Sequence, residues 1–220
     1  MPLPAVDPYP MPADADLPAN RVGWTADPRR CVLLVHDMQE HFLRIYPAGA
    51  SPRRELLANT AALRAAAVRH QVPVVYSAQP PDVDRAERGL LWDFWGPGLR
   101  AGAENIVPEL APAPGDTVLT KHRYSAFFRT GLGDLLRDTG RDQLVICGVY
   151  AHIGINASAC DAFMSDVQTF IVADAVADFS AAEHLAALRN AASQFAVVTT
   201  AGRLLADWAR QPADAVEARA

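Results

Sequence analysis

A chain of 220 residues, half of them hydrophobic and a fifth charged, is long enough to bury a substantial core and suits a single globular domain. Its net charge of -5 comes from interspersed acids and bases rather than a basic block, which argues against a nucleic-acid or anionic-membrane partner. The N-terminal MPLPAVDPYPMPADADLP has neither a basic n-region nor an apolar h-region, and no apolar run reaches membrane-spanning length, so a cytoplasmic protein is expected. Cys31, Cys147 and Cys160 lack CxxC spacing and lie in or beside apolar segments, as buried free thiols do.

Residues 1–22 are rich in Pro, Asp and Ala without an apolar period, which predicts an extended arm over the surface that is no part of the core. The domain proper is expected over 23–209, with a frayed tail over 210–220. CVLLVH (31–36) is a short continuous apolar run, the pattern of a strand buried on both faces. Residues 54–70 place Leu56, Leu57, Ala61, Leu63 and Val68 near helical spacing, and PVVYSA (73–78) is a second buried strand. TVLTK (117–121), a helix around 132–138, QLVIC (143–147), a helix around 154–165, QTFIVAD (168–174), a helix around 181–194 and FAVVTT (195–200) continue the alternation. Strands separated by helices need crossovers, so the expected fold is a three-layer, doubly wound α/β domain with a mostly parallel six-stranded sheet. Residues 79–116 break the pattern with many prolines and with Trp92, Phe94 and Trp95, which suits a functional cover.

Ligands of open parallel sheets bind outside the carboxyl ends of the strands. There the sequence sets His36-Asp37, Gln79, Lys121 and Gly148-Val149-Tyr150. Polar residues at strand ends also cap helices and satisfy loops, so Gln79 or Tyr150 alone decides little. An acid and an amine that both emerge from apolar strands are more informative, because burying either charge alone is costly. Asp37 and Lys121 therefore form a candidate site pair, with a purely structural ion pair as the alternative. His36, His41 and Asp37 invite a metal, but adjacent strand residues face opposite ways and the sequence holds no further Asp-x-His group. No metal and no cofactor is expected. His152 reads as a helix-start or packing residue.

VLLVHDMQEHFL (32–43), KHRYSAFF (121–128) and GVYAHIGINASACDAFMSDVQTFIVADAVADFS (148–180) closely resemble the isochorismatase family of the cysteine-hydrolase superfamily. RGLLWDFWGPG (88–98) resembles the cover of its phenazine-pathway aminodeoxyisochorismatases, and the likeness spans roughly residues 8–205. The superfamily's catalytic set is an Asp, a Lys and a Cys; the first two match Asp37 and Lys121, whereas Gly154 fills the cysteine position. Without a thiolate there is no nucleophile for an acyl enzyme, which sets aside an amidase. The resemblance implies acid-catalysed hydrolysis of an enolpyruvyl vinyl ether, with Asp37 as acid. It also implies substrate binding by Gln79, Arg88, Lys121, Tyr150 and the Gly154 backbone, with Phe42 and Trp95 lining the pocket and a non-proline cis peptide at Val149-Tyr150. The substrate class is 2-amino-2-deoxyisochorismate or isochorismate, and relatives are commonly dimers, so a homodimer is expected. Bifunctional members carry a C-terminal aryl carrier domain, which is not expected in these 220 residues. A catalytically silent scaffold is the remaining alternative; retention of Asp37, Lys121, Gln79 and Arg88 together speaks against it.

Overall fold

The computed structural model describes residues 3–210. Six strands, β1 (Cys31–His36), β2 (Val74–Ala78), β3 (Thr117–Thr120), β4 (Gln143–Val149), β5 (Gln168–Ala177) and β6 (Ala196–Thr199), form one sheet in the order β3-β2-β1-β4-β5-β6. Every neighbouring pair is parallel. Eight α-helices accompany them among the described residues: α1 (Glu40–Leu43), α2 (Arg53–Arg69), α3 (Arg85–Arg88), α4 (Leu91–Trp95), α5 (Leu132–Asp138), α6 (Asn156–Met164), α7 (Ala181–Gln194) and α8 (Ala201–Ala209). None is long and apolar enough to cross a membrane.

The layers follow from strand alternation. In the wholly buried β1, Cys31, Leu33 and Val35 join a core with Leu56 and Leu63 of α2 and Leu204 and Trp208 of α8. Val32 and Leu34 point the other way, into a core with Leu132 of α5, Ala159 of α6 and Leu188 of α7. The chain crosses from β1 to one side of the sheet for β2 and β3 and to the other for β4 to β6. A crevice therefore opens between the carboxyl ends of β1 and β4, at the point where strand order reverses.

Several expectations are corrected. The N-terminal arm enters the core: Val6 and Tyr9 are buried, and the Tyr9 hydroxyl donates to the Asp178 carbonyl (3.1 Å) while accepting from the Asp178 N–H (2.8 Å). The Asn20 side chain pairs with both backbone groups of Val198 on the edge strand β6. The proline-rich arm has no period because its contacts are made one residue at a time. Val68 is exposed, not inward: it lies five residues beyond Leu63, about 140° round the helix. β4 and β5 run on to Val149 and Ala177, and β5 shifts register between the partners of Ile146 and Gly148. The cover is less irregular than expected, for α3 and α4 lie within it. Of the expected tail, 210–220, all but Arg210 lies outside the described residues.

Candidate active site

At the crevice lies a cavity of about 400 Å³, of a size that holds a small metabolite. Its lining contains all eight residues singled out from the sequence: Asp37, Gln79, Lys121, Tyr150, Gly154, Arg88, Trp95 and Phe42. Residues not anticipated there are Leu3 from the arm, His41, Arg44, Tyr124 and Ile153.

Asp37 follows the last residue of β1 and takes a left-handed backbone (φ 51°), a conformation that Asp tolerates better than most residues. The turn carries its carboxylate into the crevice, where Oδ2 accepts from Lys121 Nζ at 2.8 Å and Oδ1 from Ser77 Oγ at 2.8 Å. Gln79 Nε2 approaches Oδ2 at 3.4 Å. The side chains of Lys121 and Asp37 are 1% and 6% exposed, so this is a buried pair, and Lys121 completes its donor set with the carbonyls of Arg123 (2.8 Å) and Tyr124 (3.3 Å). Burial raises the Asp37 pKa, but His36 when protonated, the Lys121 ammonium and the Ser77 hydroxyl lower it, and the net direction is below the usual carboxylate range. Ser77 was legible only as a hydroxyl inside an apolar strand. Gln39, also missed, is fully buried and clasps the Gln79 backbone, accepting from its N–H (2.8 Å) and donating to its carbonyl (2.9 Å).

The expected opposition of His36 and Asp37 fails, because Asp37 has left the strand: His36 Nδ1 lies 3.7 Å from Asp37 Oδ2. Burial pushes the His36 pKa down to about 4, so the ring is neutral at pH 7. At residue 154 a Cβ would sit 2.3 Å from His36 Cε1, so only glycine fits beside the imidazole. Gly154 belongs to a wide helical turn preceding α6, in which the Ile155 N–H donates to the Tyr150 carbonyl five residues back (3.2 Å). The helix expected over 154–165 thus begins earlier, at Ala151, in a different form. The Val149-Tyr150 peptide is cis. The Tyr150 hydroxyl donates to the Phe42 carbonyl (2.8 Å), so it is the ring that faces the cavity with its donor already engaged.

The cover supplies the opposite wall. Arg88 is 7% exposed, and its Nε donates to the Gly96 carbonyl (2.5 Å). Its guanidinium packs on Gly98, where φ is +80° and a Cβ would fall 2.4 Å from Nη1. Burial first, and then the charge of Arg123, lowers its pKa, the position of a cation that gains from an anion. Trp95 Nε1 donates to the Tyr124 hydroxyl (2.8 Å), tying the cover to the segment after β3. Arg44, an exposed residue, also lines the cavity. Three cationic side chains, Lys121, Arg88 and Arg44, thus face one carboxylate, Asp37.

No cysteine lines the cavity. Cys31 and Cys147 are buried elsewhere, with thiols pushed up to about 12 by burial. Cys160 is exposed on α6, contrary to the expected burial. His152 stands at the start of the wide turn with its Nδ1 2.6 Å from Asp178 Oδ1, outside the cavity lining. Among the described residues no three His, Cys, Asp or Glu side chains gather as a metal site would require.

A parallel α/β sheet with an ion-paired carboxylate in a cavity at its switch point is the framework of a small-molecule enzyme. The model of the isochorismatase domain matches residues 31–203. The chain is 51% identical to an isochorismatase of Bacillus subtilis over 216 residues, covering 97% of this chain and 69% of that one. It is 52% identical to the phenazine biosynthesis protein PhzD1 of Pseudomonas aeruginosa over 205 residues, 92% and 98% of the two chains. Among solved structures, a cysteine hydrolase from Pseudomonas syringae superposes with a TM-score of 0.77 at 24% identity, over 86% of this chain and 96% of that one, a likeness of fold. The chain belongs to the isochorismatase family and is a hydrolase of that family.

Proposed function

We propose that the protein hydrolyses the enolpyruvyl vinyl ether of 2-amino-2-deoxyisochorismate, with isochorismate as the second candidate substrate. The observation that carries this reading is the Asp37–Lys121 pair in a cavity that offers no thiol, opposite the guanidinium of Arg88. Such a site can deliver a proton and bind carboxylates but cannot form a thioester. Asp37 protonates the enolpyruvyl methylene, and the ether carbon becomes an oxocarbenium ion. Water adds to that carbon and loses a proton, and the hemiketal collapses to pyruvate and the ring alcohol. That alcohol is trans-2,3-dihydro-3-hydroxyanthranilate from the amino substrate or 2,3-dihydroxy-2,3-dihydrobenzoate from isochorismate. One positioned general acid contributes about 10²–10⁴-fold, and orientation supplies much of the rest.

Lys121 and Ser77 favour the ionised form of Asp37 in the free site, so it takes up its proton from solvent as the substrate binds. A dicarboxylate engages Arg88 and draws Lys121 away from Asp37, while its own negative charge and the loss of water favour the neutral acid. Similarity to both an isochorismatase and a phenazine biosynthesis protein keeps two substrates in view, and the likeness of 88–98 favours the amino one. The test is pyruvate release from each compound, with chelator present, by wild type and by Asp37→Asn. Release that collapses in Asp37→Asn supports the reading, and the ratio of kcat/KM ranks the substrates. Absence of pyruvate from both, with the wild type folded, would overturn it in favour of a silent relative.

A further inference from the structure

His36 has no role in the reaction as written, yet it occupies a decisive place in the site. Its imidazole is fully buried at the polar end of an otherwise apolar strand. On one side is Gly154, where a Cβ would lie 2.3 Å from Cε1 and 2.9 Å from Nε2, well inside van der Waals contact. On the other is Asp37, with Oδ2 3.7 Å from Nδ1. Nδ1 is also 2.9 Å from the Val149 carbonyl, and Nε2 is 3.3 Å from the Tyr124 carbonyl, the same oxygen that accepts from Lys121 Nζ. One ring therefore touches the end of β1, the turn after β4 and the segment after β3, which carry Asp37, Gly154 and Lys121.

From this geometry we infer that His36 is a positioning residue whose imidazole interlocks with Gly154 and sets the Asp37–Lys121 pair against the glycine backbone face. The ring does two things at once. Its bulk excludes any side chain at residue 154, so that this wall of the cavity is bare backbone. Its N–H toward Val149 fixes the ring plane, because the neutral imidazole has one donor and the Val149 carbonyl is the nearer acceptor. An aliphatic side chain would supply the bulk without the bond. Asparagine would supply a donor near the Nδ1 position but none of the atoms that press on Gly154.

The packing half of this inference stands on the distances alone, and its kinetic half rests on Asp37 as the acid of the proposed reaction. Full-length wild type, His36→Ala, His36→Asn, Gly154→Ala and His36→Ala/Gly154→Ala are compared by thermal unfolding and by pyruvate release. Gly154→Ala is expected to lower Tm by about 5 °C or more in wild type but by about 2 °C or less once His36 is removed, because the space has been vacated. Additive losses would overturn the interlock. Should His36→Ala not fold, His36→Asn/Gly154→Ala closes the same cycle. In kinetics, His36→Ala is expected to lower kcat by about tenfold or more with KM within about threefold, and His36→Asn to recover most of that loss. A folded His36→Ala with wild-type kcat, or an His36→Asn no better than His36→Ala, would overturn the positioning role. A folded wild type inactive on both substrates would instead sink the proposed reaction, and the Tm cycle would still decide the interlock.

Discussion

The two walls of the cavity are built in opposite ways. The sheet wall carries Asp37, Lys121, Ser77 and His36 on the ends of parallel strands, all buried, with partners for both carboxylate oxygens and three acceptors around the ammonium. The cover wall presents Arg88 and Trp95 from two short helices, α3 and α4, with Leu90 between the helices and Phe94 on α4 exposed to solvent. A reacting acid needs its position held to a fraction of an ångström, which strand ends in a packed sheet provide. A cation proposed to meet a ligand's carboxylate has a looser demand, which a short helix within a cover segment can satisfy. In the proposed reaction the proton donor thus sits on the sheet wall and the Arg88 cation on the cover.

The sharpest way to break this contrast is Asp37→Asn, which keeps the shape and removes the proton: kcat is expected to fall by about 10³-fold with little change in KM, measured as pyruvate release. Lys121→Ala comes next, since it leaves a buried carboxylate uncompensated. Urea unfolding at pH 7 should show a loss of about 3 kcal/mol, and the loss should shrink as pH falls, because Asp37 without its partner takes up a proton more readily. On the cover, Arg88→Ala should act mainly on KM, raising it about 30-fold while kcat changes much less, for a loss of about 2 kcal/mol in substrate binding.

Acid stability probes the buried histidines, of which His36 belongs to the sheet wall. His36, His41 and His184 have pKa values pushed down to about 4 by burial, so between pH 6.5 and 4 the unfolded chain binds more protons than the folded one. Stability should therefore rise with pH across that window, at about 1.4 kcal/mol per pH unit or more near its middle. The raised pKa of His152, paired with Asp178, opposes this in part, because its contribution is lost as pH rises. Flat unfolding midpoints from pH 6.5 to 4.5 would contradict the buried neutral histidines. The smallest effect belongs to Phe94→Ser on the outer face of the cover, expected to change stability by no more than about 0.5 kcal/mol and kcat/KM by less than about twofold.

Strand positions and their parallel arrangement were legible because apolar runs such as CVLLVH leave no other use for six consecutive buried residues. Asp37 stood out as a charge at the end of such a run and Lys121 as one at the end of the shorter TVLT strand, since a charge buried there has to find a partner or a ligand. The substitution at residue 154 was equally visible as a glycine. Its steric partner was not, since nothing in the chain announces that the turn at Asp37 leaves strand geometry and brings His36 against Gly154. The same holds for Ser77 and Gln39, single polar residues whose partners lie about 40 positions away, and for Leu3, Val6 and Tyr9 of the arm. Periodicity reports which face of an element is buried; it carries no information on contacts between residues distant in the chain. Local pattern alone determined the α/β class and the charged strand ends. The strand order that juxtaposes β1 with β4, and the backbone turns that aim each side chain, were decided only when the whole sheet packed, because both depend on crossovers and close approaches that no local window contains.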